Sequence, residues 1–397
     1  MTIGTAFHER TAPLNRKLAW REWSGYFAAS LYHDSVDIEY NAIREAAALI
    51  DVSPLYKYLV RGPDATRLVD RVVTRDASRV PVGRVIYTPW CDEDGKVVDD
   101  GTLAHLDDGS WRWTAADPQL RWLRQNAHGL DVQVDEITDD VAALALQGPR
   151  ARAVLRAAAG DALGDLAYYR RAGATVGGVA VDVSRTGYTG DLGYELWAPT
   201  AGATAVWDAL MAAGGAHRIR PAGMLALDVA RLEAGLILIE VDYTSSREAI
   251  TDAQRYSPFE IGLGRLVALD KAAEFVGRRA LLAEQRAGGP PRRLVGLQLS
   301  WADIERRAGE RGLPPAVAPE VSRDPVPIQA AGHQVGRVTS TGWSPTLKQM
   351  LALGSVGVRY AAPGTRLEVD WIVEGHRGTV AATVVPLPFF DPPRKRA

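Results

Sequence analysis

Arg185-Thr-Gly-Tyr-Thr-Gly-Asp-Leu-Gly-Tyr-Glu-Leu-Trp197 is the most informative stretch of this 397-residue chain. Gly187, Gly190 and Gly193 bend the backbone between two alternating apolar runs, Val179 to Val183 and Tyr194 to Trp197, which reads as two strands joined by a wide glycine-built turn. Glycine takes positive φ cheaply and lets a ligand approach the main chain closely. The turn is therefore either a plain hairpin or the rim of a binding site. Glu195 favours the rim, because a carboxylate inside a strand between Tyr194 and Leu196 must face solvent or be paired; an unpaired buried charge is too costly to keep.

Upstream of this stretch the chain repeats itself. Tyr56 to Arg61 reads as a strand, Gly62-Pro63 opens a helix at Asp64 with proline where a first turn tolerates it, and Leu144 to Gln147, Gly148-Pro149 and a helix through Ala153 and Leu155 follow the same grammar. Two pseudo-repeated α+β halves are the expectation. A helix is expected over Asp37 to Ile50, where Ile38, Ala42, Ala46 and Leu49 recur at helical spacing. Between the repeats, Arg84 to Trp90 and Lys96 to Leu106 form a hairpin through an Asp94-Gly95 turn. Its second strand carries Val97-Val98-Asp99-Asp100-Gly101. Neighbouring strand residues point to opposite faces, so only one of Asp99 and Asp100 can look into a given cavity. Tyr87, across the hairpin, is placed to line the same cavity.

Downstream, helices are expected over Ala201 to Ala213 and over Ala222 to Ala234, the second stopped by Gly235. Asp228, Arg231 and Glu233 on the latter read first as a salt-bridge network. Gly288 to Pro327 is rich in proline and charge: a linker holding one strand at Leu294 to Leu299, then an irregular loop. Val335 to Leu347, Leu351 to Val358 and Thr365 to Val373 are short strands spaced by turns, the pattern of an all-β barrel or sandwich. The terminal Pro-Arg-Lys-Arg reads as a solvated tail.

The run from Arg185 to Glu195 resembles the signature of the folate-dependent T-protein (aminomethyltransferase) superfamily, and the resemblance extends from about Trp23 to Pro388. It implies a three-domain α+β cloverleaf in which two α+β domains form a folate channel beside a C-terminal antiparallel β-barrel or jelly-roll-like domain. The corresponding limits are 1–140 (with part of 141–285), 141–285 as a ferredoxin-like domain, and 286–397. It implies tetrahydrofolate as cofactor, Glu195 as the acceptor for the amino end of the pterin, and Asp100 beside the reactive folate nitrogens, with Asp99 as the alternative if the register slips by one. Tyr87, Tyr188 and Arg231 join Glu195 as cofactor-binding candidates, and Tyr56, Tyr58 and Tyr243 stand on the donor side.

Several residues depart from the family pattern. Pro54 and Leu55 stand where many relatives have a histidine, Leu227 replaces an arginine that holds the pterin, and Arg265, in place of a tryptophan, is a candidate substitute for it. Phe389-Phe390-Asp391 replaces a terminal tyrosine pair. These departures fall on the donor and pterin sides, which favours a demethylase moving a methyl group from a small O-, N- or S-methylated donor to tetrahydrofolate over aminomethyl transfer from a lipoyl carrier protein. A non-catalytic folate-binding protein is the reading from another class.

Composition narrows the remainder. The 46 basic and 48 acidic residues leave a formal net charge of −2, so nucleic acid and an anionic membrane are not expected partners. No apolar run approaches the roughly 20 residues that span a bilayer, and the N-terminus lacks a secretory pattern. With one cysteine, Cys91, there is no internal disulfide, and the seven histidines show no metal spacing. A cytoplasmic monomer or small homo-oligomer without a metal is expected.

Overall fold

Two glycines set the architecture of the body. In the computed structural model, which describes residues 2–397, Gly62 and Gly148 have φ of +120° and +118°, and a Cβ on either would lie 2.7 Å from a backbone carbonyl, that of Asp131 or of Ala46. Each ends a strand and starts a helix, and the same carbonyls accept the amides of Asp64 (3.1 Å) and Arg150 (2.8 Å). Only glycine fits a position that combines this φ with so close an approach.

The matched pivots belong to matched units. A small sheet of β1 (Ile3–Gly4), β2 (Trp20–Trp23) and β3 (Tyr26–Ala29), with the single turn α1 (His8–Thr11), leads into α2 (Val36–Glu45) and β4 (Ala47–Asp51). The first unit runs β5 (Tyr56–Arg61), α3 (Ala65–Val72), β6 (Val85–Cys91), β7 (Val97–His105), β8 (Trp111–Ala115), α4 (Leu120–Asn126) and β9 (Gln133–Glu136). The second runs β10 (Val141–Gln147), α5 (Ala151–Ala159), β11 (Arg171–Val176), β12 (Val179–Ser184), β13 (Gly193–Pro199), α6 (Ala203–Gly214) and β14 (Ile219–Pro221). Their sheets are ordered β6-β7-β8-β5-β9 and β11-β12-β13-β10-β4-β14. Both follow the same strand order; the second admits β4 between its first and last strands. Residues 1–140 thus lend a strand to the second sheet, and that unit carries one strand more than a ferredoxin-like one.

After α7 (Met224–Glu233) and α8 (Arg278–Arg286) come β15 (Arg292–Leu299), α9 (Trp301–Gly309), β16 (Val326–Ala330), β17 (His333–Ser344), β18 (Gln349–Gly357), β19 (Arg366–Val373) and β20 (His376–Val385). The six strands close an antiparallel barrel in the order β15-β18-β17-β16-β19-β20. Among the described residues no helix is long and apolar enough to cross a membrane.

Three local expectations change. The helix expected over Asp37 to Ile50 stops at Glu45, where Ala46 leaves helical dihedrals; Ala47 to Ile50 are a strand with no exposed surface, and a strand buried on both faces lacks the alternation that separates it from a helix. The irregular loop expected after β15 contains α9, capped by the Ser300 hydroxyl accepting from the Asp303 amide at 3.2 Å and anchored by buried Ile304 and Ala308. The C-terminal tail is docked rather than solvated: Arg394 donates to both carboxylate oxygens of buried Asp191 at 2.7 and 2.8 Å, inside the Arg185–Trp197 stretch.

Candidate active site

Strand alternation sorts the first sheet's residues. Tyr58, Trp90, Leu103, Trp111 and Trp113 pack in the core with α3 and α4. Register pairs Asp99 with Trp90, Tyr58 with Trp113 and Tyr56 with Ala115, so these three residues belong to that back face. The opposite, front face carries Tyr87, Asp100, Thr102, Thr114 and Arg112. Asp99 is fully buried; its Oδ1 accepts from the Asp100 amide at 2.7 Å, and its Oδ2 accepts from the amides of Ala116 and Asp117 at 3.1 Å and from Gln119 Nε2 at 3.3 Å. Those bonds fix the turn into α4, so Asp99 is structural. Tyr58 likewise accepts the Gln119 amide at 2.7 Å with its hydroxyl and has no exposed surface. Neither Tyr58 nor Tyr56 shares a face with Asp100, which corrects their placement on the donor side.

Asp100 is half-buried and held from two directions. Tyr87 donates its hydroxyl to Oδ2 at 2.5 Å, and Tyr243 donates to Oδ1. Burial pushes the Asp100 carboxyl above the usual range, while the two phenols, which favour the ionised form, hold the rise back. Gly101 makes the arrangement possible, since a Cβ there would lie 2.0 Å from the Thr114 carbonyl. Tyr243 comes from a connection stitched to the same strand: Ser245 donates its hydroxyl to the Val98 carbonyl at 2.7 Å and the Ser246 amide to that of Val97 at 2.8 Å.

If Asp100 acts as a carboxylate, activity should fall on the acid side as it is protonated. Tyr243→Phe removes a bond to the charged form and so raises the carboxyl's pKa further. The acid limb of the kcat/KM profile is then expected to move to higher pH, and a limb that stays put or moves down removes the Asp100 assignment.

On the second sheet, Glu195 pairs with Ser184 and Ala145, and Trp197 with Asp182 and Ala143, all on one face. Glu195 is half-buried. Its Oε2 accepts from the Thr186 hydroxyl, and its Oε1 has no protein partner among the described residues. Burial raises its carboxyl, with the Thr186 bond and nearby Arg112 pulling it back. The glycines of the turn serve a different purpose from the one expected. Only Gly190 has positive φ (+71°); a Cβ on Gly187 or Gly193 would lie 2.1 or 2.2 Å from Gln147 Oε1. The turn wraps a buried glutamine, whose Oε1 accepts from the Thr189 hydroxyl at 2.8 Å and whose Nε2 donates to the carbonyls of Thr186 and Tyr194 at 3.3 Å.

The two faces meet. Arg112, from the front of the first sheet, donates to Asp182 Oδ2 at 2.6 Å and lies 4.3 Å from the centre of the Trp197 ring. Tyr169 seams the other edge: its carbonyl accepts the Val85 amide (2.9 Å) and its amide donates to the Arg185 carbonyl (3.1 Å), at a φ of +60° that is unusual for a bulky residue. Asp100 and Glu195 therefore stand on facing sheets within one interleaf. The apolar cluster beside Glu195 includes Ala145, Trp197 and Leu227, with Tyr188 packed against it. Tyr188 turns its hydroxyl to the Ile237 carbonyl, so it offers a ring rather than a free donor.

Two further candidates are placed elsewhere. Arg231 is 1% exposed and its guanidinium is committed to Asp228 (2.7 Å), Asp242 (2.6 Å) and Ser340 (2.9 Å). It is a structural group with no face for a ligand. Arg265 is exposed, makes no hydrogen bond to Glu195, and lines a separate cavity. Arg112 and Tyr169 were missed by the sequence reading. The signal for Arg112 was present: an arginine between Trp111 and Trp113 on a strand must face away from the core that they fill.

A concavity of about 920 Å³ between α2, the barrel and the C-terminal tail contains neither Asp100 nor Glu195. The interleaf gathers two carboxyls that burial raises, Asp100 and Glu195, and such groups mark functional sites.

The family model described as "GCVT N-terminal domain" matches residues 5–271, and "Glycine cleavage T-protein C-terminal barrel domain" matches residues 292–391. The chain is 37% identical over 409 residues to the trimethylamine-oxide aldolase of Ruegeria pomeroyi, covering 100% of this chain and 48% of that protein, so it spans about half of that relative's length. It is 38% identical over 379 residues to the aminomethyltransferase of Moorella thermoacetica, covering 94% of each. The solved glycine cleavage system aminomethyltransferase T from Bartonella henselae superposes with a TM-score of 0.81 at 26% identity, covering 98% of both chains.

Proposed function

The chain belongs to the glycine cleavage T-protein family, and from that premise we propose that it is a tetrahydrofolate-dependent transferase that takes a methyl-derived one-carbon unit from a small O-, N- or S-methylated donor. The observation that carries this reading is the half-buried Asp100 carboxylate, gripped by phenols from two different segments and facing the Glu195 sheet.

The residues suit a reduced pterin. Glu195 Oε1 lacks a partner and can accept N–H bonds from a planar amino-pyrimidinone, as a carboxylate does from a guanidinium. Leu227, Trp197 and the Tyr188 ring give that end an apolar wall. When bound, tetrahydrofolate supplies the nitrogens that accept the one-carbon unit. Asp100 stabilises positive charge developing near its Oδ atoms and holds or passes a proton there, while Tyr87 and Tyr243 favour its ionised form and aim it. Arg112, fixed by Asp182 and Trp197, keeps the two sheets in register at the far end of the space.

The methylated donor is supported by Leu227, Pro54-Leu55 and Arg265, which depart from the T-protein pattern, and by the whole-chain match to a protein named for trimethylamine oxide. Aminomethyl transfer is the second reading, favoured by the 94% reciprocal coverage with an aminomethyltransferase. Incubation with tetrahydrofolate and a panel of methylated amines, ethers and thioethers, beside an aminomethyl-lipoyl carrier, separates them: folate product from a methylated compound is expected. Product from the carrier alone would overturn the donor assignment.

Glu195→Ala is expected to weaken tetrahydrofolate binding by about 1.5–3 kcal/mol, the worth of a hydrogen bond to a charged group. Equilibrium titration giving wild-type affinity would take Glu195 out of the site.

A further inference from the structure

Four arginines are buried among the described residues: Arg44, Arg112, Arg185 and Arg231. Arg44 and Arg231 commit all three guanidinium nitrogens to protein acceptors. Arg185 commits both terminal ones, to the carbonyls of Leu166 and Lys395. Arg112 commits one, Nη1 to Asp182 Oδ2 at 2.6 Å; its Nε and Nη2 have no partner among the described residues. Buried donors left without acceptors cost free energy. The arginines that hold this scaffold are close to saturated, and Arg112 is the exception.

The unused donors lie in the interleaf. Arg112 is on the front face of the first sheet, and its guanidinium carbon sits 4.3 Å from the centre of the Trp197 ring. That stacking and the Asp182 bond fix the plane of the free N–H groups. Trp197 and Glu195 are two residues apart on β13 and share a face, roughly 6–7 Å from each other along the strand. Arg112 and Glu195 attract one another, yet the one ion pair that Arg112 makes is with Asp182. Glu195 Oε1 therefore stays an open acceptor with two open donors one step along, and the apolar wall of Ala145 and Leu227 offers neither.

We propose that Arg112 reads the 4-oxo group of the pterin: Glu195 accepts at the 2-amino end of the ring edge, and the free guanidinium donors meet the carbonyl oxygen at its other end. The inference rests on the tetrahydrofolate reading above. It makes Arg112 the residue that selects an amino-pyrimidinone over a diaminopyrimidine, in addition to its part in holding the sheets together. A 4-amino group turns a donor towards a guanidinium that has only donors, so both are left unsatisfied, and a site built to bond one polar group rejects its mismatch strongly.

The test measures binding of tetrahydrofolate and of its 4-amino-4-deoxy analogue by the full chain, as wild type, Arg112→Met and Arg112→Lys. Methionine keeps an apolar stem against Trp197 and removes every donor, while Asp182 keeps Arg171 at 2.6 Å. Lysine keeps the Asp182 ion pair and loses the planar fork. We expect the wild type to prefer tetrahydrofolate by roughly tenfold or more, the order of one charge-assisted contact. The preference should collapse towards one in Arg112→Met and lose its larger part in Arg112→Lys. Both affinities are read on one preparation, so lost folded protein cancels from the ratio, which a purely structural arginine would leave unmoved. Equal affinity for the two ligands in the wild type, or an undiminished preference in either variant, overturns the assignment while leaving the cofactor and Glu195 in place. Binding of neither ligand by the wild type removes tetrahydrofolate itself, and the role of Arg112 with it.

Discussion

Asp100→Asn is expected to lower turnover by roughly 10²- to 10⁴-fold, the range that a positioned proton-transfer group contributes, with little change in unfolding midpoint. The substitution is nearly isosteric. The amide oxygen can still accept one phenol, from Tyr87 or Tyr243, but the amide nitrogen turns a donor towards the other hydroxyl and carries no negative charge. The side chain is half-buried and its head is held only by the two phenols, whose rings keep their own apolar packing, so the fold does not depend on its charge. Asp99→Asn is the control that gives the experiment its meaning. Asp99 accepts four N–H donors, three of them from the turn into α4, and an amide nitrogen there faces donors with another donor. Asp99→Asn should lower stability, by the 1–3 kcal/mol typical of an unsatisfied buried polar group, before any direct effect on chemistry. If the wild type binds tetrahydrofolate but turns over no donor, and Asp100→Asn changes neither binding nor stability, the chain is a folate-binding protein rather than a transferase. Wild-type turnover in Asp100→Asn alone removes Asp100 from the mechanism.

The contrast between these neighbours shows where sequence reading succeeds. Period-2 alternation established that only one of the two aspartates could face a cavity, and cross-strand placement brought Tyr87 to it; both follow from local geometry. Which aspartate it was required the register with β6 and β8, which is set by pairing across neighbouring strands rather than within one. Gly62 and Gly148 announced the repeat because a Gly-Pro pivot is written in adjacent residues. The glycines of the signature turn did not announce Gln147, a buried side chain on another strand that takes the space a Cβ would need. Ala47 to Ile50 read as helix because a strand covered on both sides loses its alternation. Tyr56 and Tyr58 were assigned by closeness to a family motif, whereas alternation from Tyr58, opposite Trp113, would have put both in the core. Arg112 could have been found by the same rule applied to Trp111 and Trp113.

Arg231 tests the difference between a residue that resembles a ligand contact and one that holds the scaffold. Arg231→Ala is expected to cost about 3–5 kcal/mol of folding stability, the penalty for removing one member of a buried ion network. Two buried carboxylates lose their shared cation. Asp228 keeps Arg323 at 2.7 Å, a group 38% exposed. Asp242 keeps neutral donors only: the Leu238 amide at 2.9 Å, Ser340 at 2.8 Å and Thr339 at 2.5 Å. It is therefore Asp242 that is left charged and unpaired in the interior. The damage should then reach the site through the chain, because Asp242 precedes Tyr243 and anchors the connection that aims the Tyr243 hydroxyl at Asp100. Arg231→Lys should recover only part of the loss, since one ammonium cannot span Asp228, Asp242 and Ser340 as a planar guanidinium does. Chemical unfolding without folate, followed by tetrahydrofolate titration well below the unfolding midpoint, separates the two roles. A structural group gives a large fall in unfolding free energy and a folate affinity close to wild type in the molecules that remain folded. A midpoint left where it was, with affinity reduced, would instead return Arg231 to the cofactor and refute the network described for it.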